Sequence, residues 1–262
     1  MRLTLTASSM AVVFALIPLS SNAGLGLDVS PAKLDISFPP GTVYNLPVTI
    51  RNNGQASVHV LTSMNDFTLN QQGDYQFSKP GSLGYSLMKF VTVNPREFDL
   101  PADSAQQVRL TITVPSNPAI SGEFPGIVFF QTRPERHGGV GVAFSAKVAT
   151  KIYAQINGTV KTGGRVLKFA TAKNGSLQQY RVLFANTGNA HVYLNGRVEI
   201  RRNGELVDRI SIGSSLLVER GGERLIEVIG KHLEAGHYDA IAAVDYGGEK
   251  LVGGQLAFDT TP

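Results

Sequence analysis

Few residues of this sequence stand in an arrangement that could carry out catalysis. The 262 residues include five histidines and no cysteine. His232 and His237 are close in sequence, but no Asp or Glu completes a metal-ligand spacing with them. No serine stands in a G-x-S-x-G nucleophile elbow, and the lack of cysteine excludes a thiolate nucleophile. The sequence therefore predicts a protein that is not an enzyme and that has no metal site and no cofactor.

The residues suited to binding form an alternating apolar row near the middle of the chain. Small residues separate the members of this row, which are Val140, Val142, Phe144 and Ala146. In a strand, alternate side chains share one face, so the row would form an apolar stripe that ends shortly before Lys151. Such a strand could complete the core of its own sandwich. It could also offer its edge and its stripe to another chain.

Short strands separated by turn residues would hold this row in place. Every second side chain is apolar in residues 108–114 and 238–244, and the run 126–130 is apolar throughout, which is typical of a strand buried on both faces. Asn-Gly pairs beginning at Asn174 and Asn203 indicate hairpin turns. About seven short strands in each half predict an all-β chain with two immunoglobulin-like β-sandwich domains in tandem.

The first residues of the chain predict export. Residues 1–23 contain one arginine, a short apolar core and a small-x-small ending, which together indicate a cleaved secretory signal peptide. We expect an N-terminal immunoglobulin-like domain at 24–158 and a C-terminal one at 159–262. The net charge of +4 falls to +3 without Arg2, and no block of Lys or Arg indicates a nucleic-acid partner.

Four segments of the chain, taken in order, resemble the periplasmic chaperones of the chaperone–usher pathway, which assemble fimbriae and pili. They are LDVSPAKLDI at 27–36, GIVFFQTRPE at 126–135, VAFSAKVATKIYAQI at 142–156 and AAVDYGG at 242–248. The resemblance implies a periplasmic chaperone that binds fimbrial or pilus subunits by donating an edge strand before assembly at an outer-membrane usher.

The same resemblance implies roles for individual residues. Lys33 and Lys151 would anchor the C-terminal carboxylate of a subunit, and Asp245 would belong to an interdomain ion pair. The strand that binds the subunit would carry the apolar row Val140, Val142, Phe144 and Ala146. The lysines would fix the register of the bound strand, because a slip of one residue would turn the row away from the subunit.

The sequence also departs from the family pattern. Lys33 stands where the family typically has arginine, and Gln155 stands at the position of the interdomain arginine, whose glutamate partner falls near Pro125. The second half, with FANTGNAHV at 184–192, resembles immunoglobulin-like modules of surface proteins. A cell-surface or cell-wall-associated binding module is therefore the alternative, with solvated lysines in place of an anchor. A self-capping dimer of the free protein also stays open.

Overall fold

The computed structural model describes residues 26–117, 120–136 and 143–261. In the first half, these residues form twelve strands and one turn of 3-10 helix at Leu87–Lys89. The strands are β1 (Leu27–Ser30), β2 (Lys33–Phe38), β3 (Val43–Asn52), β4 (Val58–Leu69), β5 (Tyr75–Ser78), β6 (Val91–Asn94), β7 (Glu97–Leu100), β8 (Ala105–Thr113), β9 (Glu123–Thr132), β10 (Glu135–Arg136), β11 (Ala143–Phe144) and β12 (Lys147–Ile156).

Two sheets pack face to face to form the first sandwich. One sheet has the strand order β1-β3-β8-β6, and the other has the order β2-β12-β9-β4-β5, with β7 also paired to β4. Strand β8 turns every second side chain inward, as its alternating sequence predicts, whereas nearly all of β9 is buried, as predicted for a central strand. The shared core includes Ile50, Val108, Leu110, Phe130 and Ile152.

Seven strands form the second sandwich. They are β13 (Gly164–Asn174), β14 (Leu177–Asn186), β15 (Val192–Arg202), β16 (Glu205–Val218), β17 (Glu223–Ile229), β18 (Gly236–Asp245) and β19 (Val252–Thr260). Their sheets have the orders β13-β14-β17 and β16-β15-β18-β19, and both predicted Asn-Gly hairpins are present. The prediction of an all-β chain with two immunoglobulin-like sandwiches in tandem is confirmed. The boundary at 158/159 stays a prediction, in the connection between β12 and β13.

Strand β12 is paired along its whole length on one side and along part of its length on the other. Strand β9 runs antiparallel to it from Lys147 to Gln155, whereas β2 runs parallel to it and begins only opposite Lys151. Pairing with β2 starts so late because β1 belongs to the other sheet, and the chain enters the sheet of β12 only just before Lys33. Among the described residues, no strand pairs with β12 on the β2 side at Lys147–Thr150, and we call this stretch the free edge of β12.

The single strand expected to run from the apolar row into Lys151 is interrupted. Strand β11 pairs with β10 in a separate two-stranded ladder, and β12 starts only at Lys147. Thr132 explains the interruption: its hydroxyl accepts the Ala146 N–H at 2.9 Å, and its carbonyl accepts the Ser145 hydroxyl at 2.7 Å. Side-chain hydrogen bonds of this kind compete with the regular ladder.

Two other predictions concern residues outside the described ranges. These are the signal peptide at 1–23 and the first two members of the apolar row, Val140 and Val142. Within the described ranges, the structure contains no helix with the length and apolarity needed to cross a bilayer.

Candidate functional site

The parallel pairing of β2 with β12 brings the two predicted anchor lysines together. Lys33 lies directly opposite Lys151 in the register, and the pair Asp35–Tyr153 follows two residues later on the same face. Both ammonium groups lie 5.3 Å from the centroid of the Tyr153 ring, within range of a cation–π interaction. The lysines therefore sit on one side of the sheet, at the point where the free edge of β12 begins.

Each lysine also donates a hydrogen bond to a tyrosine from a different strand. Lys151 Nζ is 2.7 Å from the hydroxyl of Tyr75, the first residue of β5. Lys33 Nζ is 2.6 Å from the hydroxyl of Tyr193, which lies on β15 in the second sandwich. We call Lys33, Lys151, Tyr75 and Tyr193 the lysine–tyrosine site. The site joins the two sandwiches at their cleft.

The electrostatics of the site favour a negatively charged ligand. Lys33 Nζ forms an ion pair with Asp35 at 2.7 Å, which compensates one of the two positive charges. Burial lowers the pKa of Lys33, but the hydrogen bonds to Asp35 and Tyr193 outweigh burial, so its pKa lies above the usual value. Lys151 Nζ has no carboxylate within 4.0 Å among the described residues, although the buried Glu219 interacts with it at longer range. The two lysines thus carry more positive charge than their one ion-paired carboxylate compensates.

A buried polar cluster beneath the lysines holds the two sandwiches together. The Glu123 carboxylate, fully buried at the start of β9, accepts hydrogen bonds from the His191 backbone N–H at 3.0 Å, from His191 Nδ1 at 2.7 Å and from the Gln155 amide at 3.0 Å. The His191 ring lies 4.2 Å from the Tyr153 ring, centroid to centroid. We call the cluster of Glu123, Gln155, His191 and Glu219 the interdomain clamp.

Glu219 is a buried member of the clamp whose hydrogen bonding is incomplete. Its Oε1 accepts the Tyr153 hydroxyl at 2.6 Å, whereas its buried Oε2 has no hydrogen-bond partner within the described residues. Burial raises the pKa of Glu219 to about 6, although the Tyr153 hydrogen bond and His191 act in the opposite direction. Burial and the nearby Glu219 carboxylate also raise the pKa of Tyr153, so its hydroxyl stays protonated and can donate.

The backbone reinforces the clamp on the same side of the cleft. Glu123 N–H donates to the Asn189 carbonyl at 2.8 Å, and the Glu123 carbonyl accepts Arg220 Nη1 at 2.6 Å. Gly122 has a φ of +79°, and a Cβ there would lie 2.4 Å from the Asn189 carbonyl oxygen. Only glycine allows so close an approach of the two sandwiches.

The hairpin between β4 and β5 makes a second connection across the cleft. Gln71 lies in the turn of this hairpin. Its backbone carbonyl accepts the Leu225 N–H of β17 at 2.8 Å, and its side-chain amide donates to Glu223 at 2.8 Å. Because Tyr75 follows this turn directly, the same connection positions the hydroxyl that meets Lys151.

An aromatic surface extends from the lysine–tyrosine site across the outer face of the sheet. Tyr75 and Phe77 on β5 are stacked with centroids 5.8 Å apart, and they are 43% and 50% exposed. The ring of Phe77 meets the edge of Phe129 on β9, and Lys147 lies 4.0 Å above the Phe129 ring. An apolar surface bordered by lysines suits a partner that is apolar and carries a negative charge.

The remaining predicted site residues lie in different surroundings. Phe144 on β11 is 57% exposed, whereas Ala146 packs partly against the core of the first sandwich. Asp245 lies at the end of β18, where its carboxylate accepts the Gly247 N–H at 2.9 Å, and no ion pair of Asp245 occurs among the described residues. Subunit-binding roles for Phe144 and Ala146, and an interdomain role for Asp245, stay predictions.

Sequence reasoning missed the residues that complete the site and the clamp. Tyr75, Tyr193 and His191 stand in the sequence like ordinary residues of strands and turns, with no spacing that indicates a site. Glu123 carried the only signal: a carboxylate directly before the apolar run 124–130 is costly to bury unless it is paired. In the described part of the chain, no group of three His, Cys, Asp or Glu residues could hold a metal ion.

A family model matches part of the first sandwich. The model describes the peptidoglycan binding domain of WxL interacting proteins and matches residues 33–131, which is less than half of the chain. The matched segment includes Lys33 and Tyr75 but ends before Lys151. No curated protein matches the sequence.

The solved structure of one fimbrial chaperone shares the fold over nearly the whole chain. The class 5 fimbriae chaperone CfaA has a TM-score of 0.50 and 11% identity, covering 90% of this chain and 100% of its own. The complex of CsuC and CsuE from the archaic chaperone–usher Csu pili of Acinetobacter baumannii gives a TM-score of 0.46 and 13% identity, covering 88% of this chain and 97% of the matched one. At such identities, the similarity to CfaA shows a shared fold.

Proposed function

We propose that this protein is a periplasmic chaperone that binds the C-terminal strand of an immunoglobulin-like fimbrial or pilus subunit before assembly at an outer-membrane usher. It acts by binding and not by catalysis. The terminal carboxylate of the subunit is held by Lys33 and Lys151, and the strand that precedes it lies along the free edge of β12. The fold shared with CfaA, a fimbriae chaperone, supports this proposal.

The observation that carries the proposal is the direct pairing of Lys33 with Lys151 where the free edge of β12 begins. Two sequence-distant lysines on one face are costly to bring together because like charges repel, even though Asp35 compensates Lys33. A bound carboxylate removes that repulsion. Each lysine–carboxylate hydrogen bond contributes about 1.5–3 kcal/mol.

The pairing of β2 also supports a direction for the bound strand. Strand β2 runs parallel to β12 and starts at Lys33, so a ligand strand ending at the lysines would lie in line with β2 and parallel to β12. The N–H and C=O groups of Lys147 and Ala149 on that edge would pair with the ligand backbone. Without a ligand, the same edge is open to a second copy of the chain, which would give a self-capping dimer.

Apolar contacts would supply most of the affinity. Phe144 is exposed beyond the start of β12, and Val140 and Val142 precede it in the sequence. Full burial of a side chain of this size contributes about 1.5–3 kcal/mol, so a row of them outweighs the lysines. The lysines set the register, and the row supplies the affinity.

The proposal is tested with two short soluble peptides of alternating apolar and polar residues. They are identical except that one ends in a free carboxylate and the other in a carboxamide. We expect the protein to bind the carboxylate peptide at least about tenfold more tightly by fluorescence anisotropy, and Lys33→Ala and Lys151→Ala to abolish that preference. Lys168→Ala, an exposed strand lysine of the second sandwich, is the matched control. Equal affinities for both peptides would show that the anchor is wrong.

A second candidate function is binding to peptidoglycan, which the family model over residues 33–131 favours. The lysine–tyrosine site would then hold carboxylates of the cell-wall peptides. Co-sedimentation with purified peptidoglycan separates the two functions. Retention on peptidoglycan that Lys33→Ala and Lys151→Ala both weaken, together with no binding of either test peptide, would favour the cell-wall function.

A further inference from the structure

We propose that Tyr75 and Tyr193 are ligand-binding residues, and that a bound carboxylate accepts hydrogen bonds from both tyrosine hydroxyls as well as from both lysines. Each lysine–tyrosine pair offers the carboxylate two neighbouring hydrogen-bond donors, one N–H and one O–H. This inference rests on the proposed function and adds two residues, one of them from the second sandwich, to the site that recognises the carboxylate.

The positions of the hydroxyls carry the proposal. The Tyr75 hydroxyl lies 2.7 Å from Lys151 Nζ, and the Tyr193 hydroxyl lies 2.6 Å from Lys33 Nζ. The side chains are 43% and 42% exposed, so a ligand at the lysines can reach them. Each hydroxyl therefore lies beside the ammonium group of its own lysine, and both ammonium groups lie 5.3 Å from the centroid of the same Tyr153 ring.

The hydrogen-bond inventory of these groups leaves donors free for a ligand. A tyrosine hydroxyl that accepts a lysine N–H still has its own proton to donate. Neither hydroxyl donates to an acceptor within the described residues. The adjacent positive charge polarises each O–H and makes it a stronger donor. Each ammonium group also keeps at least one further N–H.

A carboxylate matches this set of donors better than a neutral group does. An ionised carboxylate has two oxygens with about four acceptor positions and no proton. A carboxamide has one such oxygen and would direct its own N–H groups at the ammonium groups. The site therefore discriminates by charge and by the number of acceptors together.

The tyrosines also explain how a lysine can serve as a carboxylate anchor in place of an arginine. A lysine is a point charge, whereas arginine presents a planar fork that binds both carboxylate oxygens. The hydroxyl of Tyr193 beside Lys33 Nζ supplies a second donor, for the second oxygen of the carboxylate. It adds a donor without adding a charge, while Asp35 already compensates Lys33.

The interdomain clamp fixes the tyrosine that comes from the second sandwich. His191 precedes Tyr193 by two residues and is held by Glu123, and its ring meets the edge of the Tyr193 ring at a centroid distance of 5.3 Å. The lysine–tyrosine site is thus complete only while the two sandwiches stay in this arrangement, so a bound carboxylate contacts both of them.

The test uses the carboxylate and carboxamide peptides with Tyr75→Phe, Tyr193→Phe and the double variant. These changes remove the hydroxyls but keep the rings. We expect each single variant to lower affinity for the carboxylate peptide by about five- to tenfold and to leave affinity for the carboxamide peptide unchanged. Tyr44→Phe, on the opposite sheet of the first sandwich, is the matched control.

The preference for carboxylate over carboxamide is the decisive readout, because a merely structural role of the tyrosines would weaken both peptides equally. If the wild type shows no preference, the proposed function itself fails. If the wild type shows the preference and both tyrosine variants keep it or increase it, the proposed function stands and the role of the tyrosines is overturned. Thermal unfolding of each variant checks that it still folds. Because Tyr75 lies in the first sandwich, Tyr75→Phe tests the donor of that sandwich separately from Tyr193.

Discussion

The lysine–tyrosine site and the interdomain clamp use charged residues at the same cleft in opposite ways. In the clamp, the Glu123 carboxylate is fully buried and receives three hydrogen bonds from His191 and Gln155. In the site, Lys33 and Lys151 are partly exposed and keep donors that no described residue uses. The Tyr153 side chain connects the two, since its ring meets both lysines and its hydroxyl binds Glu219.

This difference shows how a charged cluster can serve stability in one place and binding in another. A buried charge contributes to the fold only when its partners are fixed, because removing one partner leaves the other unpaired in a poorly solvated position. An exposed pair contributes little to stability, so its charges remain available to a ligand. Mutations in the clamp should therefore change folding, and mutations in the site should change binding.

The largest expected effect follows from removing the centre of the clamp. Glu123→Ala leaves the His191 ring, the His191 N–H and the Gln155 amide without their acceptor. We expect the free energy of unfolding to fall by about 3 kcal/mol in urea denaturation. Glu249→Ala, an exposed glutamate of the second sandwich, is the control and should change it by less than about 0.5 kcal/mol. Equal small effects of both variants would contradict the role of the clamp.

The next effect concerns the pH dependence of stability at Glu219. Its pKa of about 6 in the folded protein exceeds the ordinary 4.5, so the folded state binds the extra proton between these values. The contribution of this residue is then most favourable below pH 4.5, and about 2 kcal/mol is lost as the pH rises through 6. We expect the difference in unfolding free energy between wild type and Glu219→Gln to change by that amount over this range.

Other charged groups surround Glu219, so the difference between the two proteins is the quantity to follow. His191 and Glu123 face Glu219 and Lys151 lies nearby, and all of them are present in both proteins. A difference that does not vary with pH would show that Glu219 is not the group whose proton is retained.

The smallest expected effect is on the apolar side of the binding surface. Phe144 is 57% exposed, so Phe144→Glu should change the free energy of unfolding by less than about 0.5 kcal/mol. Affinity for the carboxylate peptide should fall by about tenfold because an apolar contact is replaced by a charge. Leu251→Glu, 56% exposed in the second sandwich, is the matched control. If both variants bind equally well, Phe144 does not contact the ligand.

The sequence predicted the parts of this structure that depend on local patterns. Alternation in residues 108–114 and the apolar run 126–130 identified β8 and β9, and Asn-Gly identified two hairpins. These features follow from side-chain periodicity and turn geometry within a few residues. The fold class was predictable for the same reason.

The assembled site was not predictable from local patterns. The pairing of Lys33 with Lys151 depends on a parallel register between two strands that are far apart in the sequence, β2 and β12, and only the resemblance to chaperones suggested it. Tyr193 comes from the other sandwich, where its position depends on His191 and Glu123. The interruption before β12 depends on a hydrogen bond to the Thr132 hydroxyl, which the alternation of apolar residues does not reveal.

The most direct test of the central claim is a crystal structure of this protein with the carboxylate peptide bound. We predict a peptide strand parallel to β12 and in line with β2, with its terminal carboxylate within about 3 Å of both lysine Nζ atoms. A peptide that binds at another edge, or at this edge with its carboxylate directed into solvent, would contradict the account.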